Sequence, residues 1–146
     1  MHPAAAVLAC LEGAGGSIQG RTKVQKVLYF VSELLGLPEG YSPHFYGPYS
    51  PSVASAVSSL VNAEFIQEEE ERFSSDFVGN DFPSHRFTYT LTEKGKRAAE
   101  AVRAEKGEEF SRVSELTKKI LELKDDYVLL SYAAKVYCIL EKSAQK

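Results

Sequence analysis

Apolar positions recur at helical spacing through three early segments of the chain and then switch to alternation. Residues 3–13 predict a short Ala-rich helix with Val7, Leu8 and Leu11 on one side, ended by Gly13-Ala14-Gly15-Gly16. Across residues 21–35 the set Val24, Val27, Leu28, Val31, Leu34 and Leu35 keeps the helical period, and Gly36 supplies a stop. A third helix, over about residues 51–63, gathers Val53, Val57, Leu60 and Val61 on one arc. Ser52, Ser55, Ser59 and Asn62 fall on another, which is polar, small and uncharged. Phe87, Tyr89 and Leu91 then alternate with Arg86, Thr88 and Thr90, the period of a half-buried strand, and residues 66–73 are its expected partner. Residues 74–84 between them, with Asp76, Gly79, Asn80, Asp81 and Pro83, are too long and irregular for a two-residue hairpin.

The run His44-Phe45-Tyr46-Gly47-Pro48-Tyr49-Ser50-Pro51 predicts a tight aromatic turn that launches the third helix. Pro48 fixes its own φ and pushes Gly47 out of the helical region; Ser50 suits a cap, and Pro51 the first helical position, where no amide donor is needed. After the second strand, Thr92 caps a helix that opens with Glu93, Lys94, Gly95, Lys96 and Arg97. Residues 108–123 and a last segment carrying Val128, Leu129, Tyr132, Val136, Ile139 and Leu140 are helical in pattern. This C-terminal pair has more apolar surface than a lone helical hairpin hides, so it is expected either to fold back on the core or to form a dimer contact. Three helices followed by a two-stranded hairpin give an α+β, mainly α architecture: a winged helix-turn-helix with a two-stranded wing and additional C-terminal helices. Residues 1–104 are read as the winged-helix domain and residues 105–146 as a helical extension for packing or dimerisation.

At 146 residues and 44% hydrophobic, the chain is long enough to bury one core. Its net charge of -3 is uneven. Residues 1–65 carry 3 basic and 4 acidic side chains, residues 66–91 carry 2 and 6, and residues 92–146 carry 12 and 10. No part is strongly basic, which weakens tight nonspecific nucleic-acid binding, because phosphate neutralisation supplies most of that affinity. Cys10 and Cys138 sit among apolar residues and predict buried thiols in a reducing compartment rather than a disulfide framework. With no apolar run of roughly 20 residues, the expected location is the cytoplasm.

Three strings carry a resemblance: Gly20-Arg21-Thr22-Lys23-Val24-Gln25-Lys26-Val27-Leu28-Tyr29-Phe30, Tyr46-Gly47-Pro48-Tyr49-Ser50, and Tyr89-Thr90-Leu91-Thr92-Glu93-Lys94-Gly95. Together they resemble small winged-helix proteins similar to the Panacea (SocA-like) antitoxin domains, over roughly residues 18–104. The resemblance implies a winged-helix fold and either transcriptional regulation or antitoxin-like binding of a protein. It implies no catalytic site.

For double-stranded DNA, the favoured partner, the helix after Ser50 is the expected reader, with Ser52, Ser55, Ser59 and Asn62 able to hydrogen-bond bases or phosphates. No Arg stands there for the bidentate contact to guanine. Arg21, Lys23 and Lys26, the only basic residues of the first 65, are phosphate candidates whose plainer reading is a solvated helix face. His44, Tyr46 and Tyr49 in the turn and His85 and Arg86 at the wing are further contact candidates; the plainer reading of Tyr46 and Tyr49 is packing onto the second helix. Glu68-Glu69-Glu70-Glu71 opposes DNA binding and leaves open the alternative partner, a protein such as a toxin. A homodimer through the C-terminal helices is compatible with either. His2, His44 and His85 show no metal-ligand spacing with the cysteines, and Gly13 to Gly20 lacks the strand and the lysine of a phosphate loop. No enzyme activity, metal or cofactor is therefore expected.

Overall fold

Residues 1–36, 42–44, 47–73, 84–123 and 139 are described by the structure, a computed structural model. The first helix, α1 (Pro3–Gly13), begins where His2 Nδ1 accepts a hydrogen bond from the Ala4 amide at 3.0 Å, with Pro3 at a position that needs no donor. Every residue from Ala6 to Leu11 is buried. This is wider than the one-sided face expected from Val7, Leu8 and Leu11, because α1 is touched by each of the other four helices among the described residues. The small side chains of Ala6, Ala9 and Cys10 let neighbours close in on the remaining sides. Burial pushes the Cys10 thiol up to about 12, with the Thr117 hydroxyl acting in the opposite direction.

A three-residue strand, β1 (Ser17–Gln19), follows the glycine-rich break and was not expected from the sequence. Gly20, at φ 111°, turns the chain into α2 (Arg21–Leu35), which ends at Gly36 in the left-handed region, φ 70°. Downstream, β4 (Ile66–Phe73) and β5 (Ser84–Leu91) pair antiparallel from Ile66 opposite Leu91 to Phe73 opposite Ser84, as alternation predicted. Among the described residues the sheet has three strands in the order β1-β5-β4, with Ile18 opposite Tyr89 and both buried.

Between α2 and the next helix lie β2 (Ser42–His44) and β3 (Gly47–Tyr49), an antiparallel pair where a compact turn was expected. Pro43 stands opposite Pro48. Two residues without amide donors can face each other only at a position where the ladder makes no bonds, so the prolines fix the register rather than preventing it. Phe45 and Tyr46 lie outside the described residues.

Helix α3 (Pro51–Asn62) starts at Ser50, whose Oγ accepts from the Val53 amide at 3.3 Å. Thr92 starts α4 (Glu93–Glu105) in the same way, its Oγ1 accepting from Gly95 N at 3.0 Å while its hydroxyl donates to the Glu64 carbonyl at 2.7 Å. A Cβ on Gly95 would overlap the Phe65 carbonyl oxygen, so this glycine lets α4 lie directly on the chain entering β4. Helix α5 (Gly107–Leu123) approaches α1 equally closely, where Gly13 meets the backbone of Ser114. Phe110 and Val113 of α5 join the core, and Arg103 of α4 pairs with Glu12 of α1. This part of the C-terminal pair folds back on α1.

Candidate functional site

The outward face of α3 is a continuous polar surface. Val53, Ala56 and Leu60 are buried and Val57 and Val61 half-buried, whereas Ser52, Ser55, Ser58, Ser59 and Asn62 are exposed. Ser58 joins the four residues that helical spacing had selected. Each of these side chains donates and accepts, and none is charged.

The start of α3 is held from below by Gln25. Gln25 Nε2 donates to the Ser50 carbonyl at 3.1 Å, and the Ser50 amide donates to Gln25 Oε1 at 2.9 Å, with both residues buried. Ser50 is therefore a structural cap and not part of the exposed surface. Tyr49, just before it, is half-buried.

The basic residues of α2 separate by burial. Lys26 is 1% exposed. It is thus neither a solvated residue nor a surface phosphate contact, because α2 is buried continuously from Val24 to Tyr29. Burial lowers its ammonium from the ordinary 10.5 to about 8. Lys23 is half-buried. Arg21 alone of the three is exposed, yet its guanidinium is engaged: Nε donates to Tyr89 Oη at 3.0 Å and the group lies 3.7 Å from the Phe87 ring centroid. Its Nη2 stands 3.9 Å from Glu68 Oε2. Burial, and then a hydrogen bond to Glu68, push the Tyr89 phenol up to about 12, with Arg21 opposing.

On the sheet, Glu68, Glu69, Glu70 and Glu71 are all exposed along β4, which stands at the end of the strand order among the described residues. Alternation puts Glu68 and Glu70 on the face of their register partners Tyr89 and Phe87, and Glu69 and Glu71 on the other with Thr88 and Arg86. Arg86 is exposed, and His85 lies opposite Arg72 near the far end of the hairpin. His44 is in β2, opposite Gly47; Tyr46 falls outside the described residues.

A shallow open groove of about 550 Å³ lies at the other end of α3, lined by Val61, Glu64, Ile66, Glu68, Glu93 and Lys94 among others. Its acidic rim and openness do not suit an enclosed small-molecule site. Among the described residues, no group of three or more His, Cys, Asp or Glu side chains is arranged to hold a metal ion, and no helix is long and apolar enough to cross a membrane.

No protein-family model matches the chain. An uncharacterized protein YwgA of Bacillus subtilis (strain 168) is 35% identical over 81 residues. The match covers 55% of this chain, which spans 44% of that relative's length.

Proposed function

We propose that the protein is a cytoplasmic winged-helix regulator that binds double-stranded DNA with α3 as its reading helix. The observation that carries this reading is the exposed, uncharged, hydrogen-bonding arc of Ser52, Ser55, Ser58, Ser59 and Asn62 on a helix whose start is locked by Gln25. The order of three helices, then the β4–β5 hairpin, supports a wing beside that helix. Serine and asparagine supply single or adaptable contacts to base edges and phosphates, so affinity at each half-site is modest. A homodimer contact belongs to the same proposal, since a second half-site compensates for weak single-site binding. Phe110 and Val113 of α5 are committed to the core and are not part of that contact; the later segment of the C-terminal pair, apart from the exposed Ile139, lies outside the described residues.

Titration of the purified protein against duplex fragments of its own genome, at low and then at higher salt, tests the reading. Saturable binding that weakens with salt is expected, because phosphate contacts release counterions. Absence of binding, or binding insensitive to salt, refutes it.

The exposed glutamates of β4 favour a second reading, an antitoxin-like module that binds a protein. Carboxylates on that strand repel phosphate and attract a basic partner surface. Affinity capture from the native host is then expected to recover one stoichiometric protein partner, and recovery of none counts against this alternative.

A further inference from the structure

Arg21 begins α2, and its guanidinium is held on three sides. Tyr89 accepts from Nε at 3.0 Å, the Phe87 ring lies 3.7 Å from the group, and Glu68 Oε2 stands 3.9 Å from Nη2. The first two contacts fix the plane of the group and leave its Nη donors available. The third is an ion pair too long for a hydrogen bond. The Arg21 side chain is 60% exposed and that of Glu68 31%, so an incoming anion can reach the guanidinium without unfolding anything. A phosphate that takes two guanidinium donors at once is a stronger partner than a carboxylate at that distance.

We propose that Glu68 is a built-in competitor for Arg21: its carboxylate stands where a DNA phosphate would otherwise approach the guanidinium that Tyr89 and Phe87 hold in place. This inference rests on the DNA reading above. Binding then requires the phosphate to displace Glu68, which lowers affinity for every duplex alike. Tyr89 and Phe87 act as positioning residues, since they orient the group without contacting the nucleic acid.

The test compares Glu68→Gln with Glu69→Gln in duplex titrations over a range of salt. Glutamine at 68 keeps an oxygen acceptor for the Tyr89 hydroxyl and removes the charge. Glu69→Gln removes the same charge from the same strand, but Glu69 lies on the opposite face and accepts from Gln67 Nε2 at 3.0 Å instead of meeting Arg21. Glu68→Gln is expected to tighten binding roughly two- to fivefold, the range of an exposed ion pair, and to steepen the salt dependence by up to about one phosphate. Glu69→Gln is expected to change both much less. In an Arg21→Gln background the gain from Glu68→Gln is expected to vanish. Equal effects of the two glutamine variants, or a gain that survives Arg21→Gln, overturn the competitor role and leave the DNA reading standing. A duplex bound by none of the proteins at low salt overturns the DNA reading and the competitor role with it.

Discussion

The side chain of Gln25 and the backbone of Ser50 form a closed pair: the amide nitrogen of Gln25 donates to the Ser50 carbonyl at 3.1 Å and its oxygen accepts from the Ser50 amide at 2.9 Å. This joins the middle of α2 to the start of α3. The Val24-Gln25-Lys26 string supplies the amide and the Tyr46-Gly47-Pro48-Tyr49-Ser50 string the backbone that it grips. The Ser50 carbonyl additionally accepts from the Ala54 amide at 3.1 Å. Gln25→Ala therefore orphans chiefly the buried Ser50 N–H, at about 1–3 kcal/mol. Urea unfolding is expected to show that loss as a lower midpoint; an unchanged midpoint would mean that another donor-acceptor pair takes over.

Glycine-to-alanine changes are expected to have opposite signs at different helices. Alanine usually stabilises a helix interior by about 1 kcal/mol over glycine. At Gly95 and Gly13, however, the new Cβ would overlap the carbonyl oxygens of Phe65 and Ser114, backbone atoms that no rotamer change can move. Overpacking of that kind costs about 1–3 kcal/mol, so Gly95→Ala and Gly13→Ala are expected to lower the melting temperature. Nothing lies within 4 Å of a Cβ at Gly107, so Gly107→Ala is expected to leave it unchanged or raise it.

Burial of Lys26 predicts a pH dependence of stability. Its ammonium is lowered to about 8 in the folded chain from an ordinary 10.5. Below pH 8 both folded and unfolded chains hold the proton, and the cost of burying the charge is fully present. Between pH 8 and 10.5 only the unfolded chain holds it, so this group makes stability rise with pH across that window. Tyr89 and Cys10, raised by burial to about 12 from 10 and 9, act in the opposite sense above those ordinary values. Comparison with Lys26→Met cancels their contribution. The stability of the Met variant minus that of the wild type is expected to fall between pH 8 and 10.5, and a difference constant across that range would place the Lys26 ammonium at its ordinary value.

Substitutions on the outer face of α3 separate function from folding. Ser52 and Ser55 are exposed, so Ser52→Asp and Ser55→Asp are expected to shift unfolding free energy by no more than about 0.5 kcal/mol. In duplex titrations each is expected to weaken binding by on the order of tenfold, through loss of one contact to a base edge or phosphate and repulsion between the new carboxylate and the DNA phosphates. Wild-type affinity in both variants would remove α3 as the reading helix.

Much of this architecture is local and therefore legible along the chain. The apolar period of α2 and α3, the Ser50 and Thr92 caps, the Gly36 stop and the β4–β5 alternation each depend on residues within a few positions of one another, and the structure contains each of them except that Leu34 of the α2 set is 66% exposed. The exposed arc of α3 follows from the same periodicity. What tertiary structure alone decided are the partners of side chains that any local pattern treats alike. Arg21, Lys23 and Lys26 are equivalent as basic residues on one helix; only the packed fold buries Lys26 and ties Arg21 to Tyr89, 68 positions away. Strand β1 has one apolar residue, Ile18, and exists because β5 offers it a ladder. Gly13 and Gly95 look like ordinary breaks or weak points until another segment's backbone is laid against them. Local sequence determines which face of an element is apolar through the helical and strand periods. Which polar group meets which depends on how those faces are brought together, and that geometry is set by contacts between residues far apart in the chain.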